Sequence, residues 1–179
     1  MSFARVRLVL LMSAITAITV LVPAAASAKG KPPPTESHCV VHVVGQAEDG
    51  KLTTSDPDCY GTEAEAAMAA SGGLAVRSTG LDSVTMAGST FTLGRHYDGY
   101  NGTGSSITVV GSSCTGGYWN TPSWFDNRTT SSYNGCGRLR HYDKPGKSGS
   151  STNTYGAGTT DNLAAWMNNR TESVAYYSS

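Results

Sequence analysis

His96-Tyr97-Asp98 returns 45 residues later as His141-Tyr142-Asp143, and Gly104-Ser105-Ser106 returns at the same offset as Gly149-Ser150-Ser151. Asp126-Asn127-Arg128-Thr129 is echoed 42 residues on by Asn168-Asn169-Arg170-Thr171. Landmarks in the same order at nearly one offset mark a duplicated supersecondary unit. A unit of that length has room for about four strands, so a pair of them predicts a two-sheet domain. Short β-prone runs at 89–93, 106–110 and 137–142 alternate with Gly, Ser and Asn clusters, as such a fold requires.

The start of the chain has a different texture. Residues 1–28 read as a cleaved signal peptide. Arg5 and Arg7 precede an apolar run at 8–22, and Ala26-Ser27-Ala28 supplies the small residues a signal peptidase accepts. The run is shorter than the roughly 20 residues a membrane span needs. The expectation is a secreted, extracellular protein with cleavage near Ala28 and no membrane association. The 151 residues that follow carry 11 Lys and Arg against 13 Asp and Glu. That balance weighs against a basic nucleic-acid footprint. Only 18 of those residues are Leu, Ile, Val or Phe, so the core is small and needs staples.

The staples are four cysteines, an even set in an exported chain. Three pairings are possible. Cys39 with Cys59 and Cys114 with Cys136 is preferred, because each closes a local loop worth about 3 kcal/mol. Residues 29–37 form a Pro-rich tether. Residues 38–80 read as a small ββα segment. A strand covers 39–44 and a return strand covers 51–54. Thr62 and Glu65 then form a capping box for an alanine-rich helix over 64–70. Residues 81–179 hold the duplicated domain.

The duplicated units resemble the βγ-crystallin Greek-key motif. That motif has an aromatic residue, a Gly seven positions on and a Ser two beyond it. Tyr97, Gly104 and Ser106 fit it, as do Tyr142, Gly149 and Ser151. The Gly is wanted where the hairpin folds over the sheet with positive φ. The motif's second aromatic is replaced here by Gly102 and Lys147. The resemblance implies two Greek-key motifs forming a mainly β, βγ-crystallin-like sandwich. It also implies a calcium signature, [Asn/Asp]-[Asn/Asp]-x-x-[Ser/Thr]-Ser. The run 126–131 matches it through Asp126, Asn127, Thr130 and Ser131. The run 168–173 matches through Asn168, Asn169 and Ser173, with Glu172 departing from the pattern. Ca2+ takes oxygen ligands of these kinds.

None of the common hydrolase, zinc-protease or phosphate-loop motifs is present. His96 and His141 occupy equivalent repeat positions, which argues for a structural role. His38 and His42 on one strand face stand about 13 Å apart, too far to share an ion. The expectation is a monomeric, non-enzymatic protein. The resemblance also implies an alternative, because secreted bacterial metalloproteinase inhibitors share the fold. The partner would then be an extracellular protease. An exposed loop of the Cys114–Cys136 segment would present Tyr118, Trp119 and Trp124. The competing reading of those aromatics is that they build the core. Glycan binding through Trp119 or Trp166 is a third option.

Overall fold

The computed structural model of the chain describes residues 36–72 and 89–179. The expected signal segment at 1–28, nearly all of the expected tether and the expected boundary near residue 80 lie outside the described residues. The front carries β1 (His38–Gln46), β2 (Leu52–Thr54), β3 (Asp58–Tyr60) and α1 (Glu63–Ala70). The first repeat unit supplies β4 (Phe91–Tyr97), β5 (Ser106–Gly111), β6 (Thr115–Asn120) and β7 (Ser131–Asn134). The second supplies β8 (Arg138–Lys144), β9 (Ser148–Tyr155), β10 (Thr160–Asn162) and β11 (Ser173–Tyr177).

These strands form two sheets. Sheet one runs β10-β7-β4-β5-β1-β2, with β3 also on β1, and sheet two runs β6-β11-β8-β9. The third strand of each unit has crossed into the other unit's sheet. The expected sandwich of paired Greek keys is therefore present. Its internal symmetry is visible in the registers. Tyr97 pairs with Ser131 and Ser106, and Tyr142 pairs with Ser173 and Ser151. The offset falls from 45 to 42 across the third strands, because β10 spans three residues where β6 spans six.

Gly104 and Gly149 have φ of 79° and 76°, as the hairpin fold requires. A Cβ on either would stand about 2 Å from the carboxylate of Asp98 or Asp143: 2.2 Å and 2.1 Å from Oδ1. The positions where the second aromatic is missing, Gly102 and Lys147, also have positive φ, 75° and 58°.

The front segment is not set apart from the sandwich. β1 lies parallel to β5, from His38 against Ser106 to His42 against Val110, and so extends sheet one. Thr62 and Glu65 form the predicted capping box. With only eight residues, α1 depends on tertiary packing for its stability. Ala66 and Ala70 supply it by burying against Val40 and Val110 on the outer face of sheet one. Both expected disulfides are formed, and Cys39 and Cys59 face each other across the β1–β3 pair.

Two elements differ from the sequence reading. β3 follows Pro57 directly and reads as turn, yet the disulfide holds it against β1. β4 begins later than expected and runs on through Gly94 to Tyr97. The strand bulges between Thr92 and Gly94, and Gly94 faces the core where a Cβ would be 2.9 Å from Leu139 Cδ1. A glycine that reads as a break is here the residue that lets the sheets close.

The core joins Leu93, Ile107 and Val109 of sheet one to Trp119, Leu139, Val174 and Tyr176 of sheet two. At its centre are His96 and His141, both with no solvent exposure. Their rings meet edge to face at 5.6 Å, and His96 stacks on Trp119 at 5.9 Å. His96 bonds Ser132 Oγ at 2.8 Å and the Tyr176 hydroxyl at 3.2 Å, and His141 bonds Thr154 Oγ1 at 3.3 Å. Burial pushes His96 from 6.5 down to about 3. Burial, and then the neighbouring His96, hold His141 well below the ordinary imidazole value.

Both imidazoles are neutral in the native state, whereas the unfolded chain protonates them below about 6.5. Their contribution to stability is complete above that pH and is lost as pH falls toward 3. Each histidine gives a slope of about 1.4 kcal/mol per pH unit in this window. Urea unfolding of the protein at pH 7 and pH 5 is expected to differ by roughly 4 kcal/mol. His141→Gln is expected to halve the slope. An unchanged slope in that variant would refute the assignment.

Candidate functional site: the paired loops

Each unit's third and fourth strands are joined by a loop containing the Asn-Arg-Thr run. In the first, Phe125 and Asp126 amides bond the Pro122 carbonyl at 2.8 and 2.9 Å. In the second, Met167 and Asn168 amides bond Ala164 at 2.8 and 3.1 Å. Phe125 and Met167 are fully buried. The next residues, Asn127 and Asn169, are left-handed with φ of 56° and 57°. Asn tolerates that region better than most side chains, which accounts for its place in both copies.

The strand exchange brings the two loops together. The Asn127 amide donates to the Thr171 carbonyl at 3.2 Å, and the Asn169 amide donates to the Thr129 carbonyl at 3.0 Å. The side chains interlock in the same reciprocal way. Asn127 Nδ2 donates to Glu172 Oε1 at 3.4 Å, while Thr130 Oγ1 donates to Asn169 Oδ1 at 3.1 Å. Thr130 Oγ1 also stands 3.5 Å from the Arg128 carbonyl. An oxygen trio of hydroxyl, amide and backbone carbonyl is thus gathered on one side of the pair. The Glu172 carboxylate stands at the corresponding place on the other.

Ser131 and Ser173 close the signature, and both face the hairpins of their own units. Ser131 Oγ donates to the Gly99 carbonyl at 2.7 Å and accepts from the Gly102 amide at 3.0 Å. Ser173 Oγ donates to the Lys144 carbonyl at 2.7 Å and accepts from the Lys147 amide at 3.2 Å. Asp126 accepts from Thr121 Oγ1 at 2.7 Å, and Asn168 donates to the Tyr100 hydroxyl at 2.8 Å. Of the eight signature residues, Asn127, Thr130, Asn169 and Glu172 meet across the loop interface, Ser131 and Ser173 hold the hairpins, Asp126 bonds within its own loop, and Asn168 reaches the first unit's Tyr100.

Sequence reasoning missed the arginines between them. Arg128 pairs with Asp98, and Arg170 pairs with Asp143 at 3.0 Å. Each arginine also donates to a carbonyl four residues back, Trp124 at 3.4 Å and Trp166 at 3.3 Å. The signal was available, because the acid and the arginine recur together in both units. With those charges paired, Asp126 and Glu172 leave the loop pair with a net negative field. Three oxygens near the pair are buried without a hydrogen-bond partner among the described residues: Thr129 Oγ1, Thr171 Oγ1 and Asn168 Oδ1.

The donors suit a hard cation in kind, being a carboxylate, amides, hydroxyls and carbonyls. Among the described residues no group of three or more His, Cys, Asp and Glu is placed to hold a metal ion, so any cation here would rely on amide, hydroxyl and backbone oxygens beside a single carboxylate. Tyr118 and Trp119 do not project from the Cys114–Cys136 segment. Trp119 is in the core, and Tyr118 is buried with its hydroxyl on Asp49 at 2.8 Å. Trp124 packs on Phe125 with ring centroids 5.6 Å apart. A cavity between the β1–β2 hairpin and the start of β6, floored by Leu52 and Leu93, has no titratable side chain in its wall.

No family model matches the chain, and no curated protein matches it. Among solved structures it is similar to a βγ-crystallin domain from Clostridium beijerinckii. The identity is 19% and the TM-score 0.38, over 49% of this chain and 99% of that one. A double-substitution mutant of that domain gives 17% identity and a TM-score of 0.38, over 48% and 97%.

Ser131→Ala and Ser173→Ala each strand a carbonyl and an amide of a hairpin. Each is expected to lower stability by roughly 1–3 kcal/mol in urea titrations. Their equivalence predicts similar losses, and a cost confined to one of them would contradict the symmetric assignment.

Proposed function

We propose that this is an exported, non-enzymatic binding protein whose interlocked loops take calcium and are stiffened by it. The carrying observation is the reciprocal contact of Thr130 with Asn169 and of Asn127 with Glu172 across the loop interface. In the first pair the Thr130 hydroxyl proton holds oxygens together that a divalent cation would hold more strongly. In the second, turning the Asn127 amide would present its oxygen beside the Glu172 carboxylate. Arg128 supplies its backbone carbonyl, while the charges of Arg128 and Arg170 stay engaged with Asp98 and Asp143. The hydroxyls of Thr129 and Thr171, without a partner among the described residues, fit loops that tighten around an ion. Export is supported by the signal-like residues 1–28 and by two disulfides, which persist in oxidising compartments.

The test is calorimetric titration of the mature chain with calcium, together with thermal melts in calcium and in chelator. A saturable heat and a melting temperature raised by several degrees are expected, since a ligand at 100 times its Kd adds about 2.7 kcal/mol. Glu172→Gln removes a charged ligand and is expected to weaken binding more than Asp126→Ala, whose carboxylate is engaged with Thr121. Absence of heat and of any melting shift at millimolar calcium would refute the proposal.

A further inference from the structure

The repeat lets one half of the molecule be read as a template for the other. On the outer face of sheet one, α1 is docked through apolar and polar contacts. Val110 packs with Ala66 and Ala70, while Glu63 accepts from the Arg95 guanidinium and from the Tyr97 hydroxyl, the latter at 2.8 Å. The sheet-one residues of this contact recur 45 positions on. Arg140 stands where Arg95 does, Tyr142 where Tyr97 does and Tyr155 where Val110 does. Among the described residues no helix covers them, and Tyr142 is instead buried against Tyr118, Ala175 and Tyr177. Arg140 is exposed, and Tyr155 is 58% exposed.

The charge of this second face is positive. Arg140 lies over the Tyr142 ring at 5.2 Å and Arg138 over Tyr177 at 4.5 Å. Both guanidiniums lie within cation–π range of their rings, and Arg140 Nε donates to Ser151 Oγ at 2.9 Å as Arg95 Nε does to Thr108 Oγ1. Among the described residues, neither arginine has a carboxylate within 4.0 Å. Arg138 Nε and Asn153 Oδ1, on neighbouring strands, are both buried without a hydrogen-bond partner. The outer edge of β9 is also unpaired among the described strands, where its counterpart β5 has β1.

We propose that the outer face of β8 and β9 is a docking surface for an acidic helical segment of a partner protein. Its carboxylate takes on Arg140 the place that Glu63 takes on Arg95. The precedent within the chain specifies the contact: a carboxylate on arginine, and small apolar side chains on the residue at the Val110 or Tyr155 position. A polyanionic glycan would meet the same charges without using the second contact.

The test is an NMR titration of the nitrogen-15-labelled mature protein. The probe is a hydrocarbon-stapled, helical peptide with the sequence of residues 62–71, which avoids the ordering cost of a short free helix. Saturable, salt-sensitive shifts are expected at amides 138–142 and 151–155. Arg140→Gln, at an exposed position, is expected to melt with the parent and to bind about tenfold more weakly. The peptide carrying Glu63→Gln and Glu65→Gln is expected to bind as weakly. Three results would overturn the proposal. They are no shifts, shifts elsewhere on the molecule, or binding indifferent to Arg140 and to the glutamates. A sulfated oligosaccharide that shifts these amides when the peptide does not would overturn it in favour of a glycan.

Discussion

The exchange of third strands between sheets governs this molecule. β6 belongs by sequence to the first unit and by hydrogen bonding to the second unit's sheet, and β10 does the reverse. Neither unit can complete a sheet alone. Because each third strand crosses over, the loops that follow must cross too, and they meet with Asn127 against Thr171 and Asn169 against Thr129. The loop pair is therefore a product of topology, held by backbone bonds before any side chain takes part. A binding site assembled there inherits the rigidity of both sheets.

The interior is unusual in what it uses to fill space. With few aliphatic residues, the chain places two imidazoles at the meeting point of the sheets and satisfies most of their nitrogens with Ser132, Tyr176 and Thr154. The network continues outward. Thr154 donates to Asn134 at 2.6 Å, and Asn134 donates to Asp161 at 3.0 Å. That chain links β9, β7 and β10, strands drawn from both sheets. Buried polar networks of this kind restrict register more than they add stability. A one-residue slip of β8 or β9 would turn His141 or Thr154 outward and leave its partner stranded.

Much of this was legible in the sequence, through the repeat. His96 and His141 at matching places read as structural, and Thr62 with Glu65 read as a cap. Gly104 and Gly149 read as positive-φ turns, and each has that conformation. What stayed hidden depends on long-range placement. Nothing local in residues 38–42 says that β1 joins β5 in parallel. The apolar run reads equally well as the strand of a separate small segment. Gly94 looks like a break unless Leu139 and Tyr176 are known to lie over it. The signature residues themselves divide into interface and hairpin roles that a linear pattern does not distinguish.

The strand order also makes one strand a bridge. β11 follows every other described strand in sequence, yet it sits between β6 and β8 in the middle of sheet two. Sheet two therefore has no other link between its two sides: without Ser173–Tyr177, β6 and β8 would share no neighbour and Trp119 would lose its contact with Val174 and Tyr176 in the core.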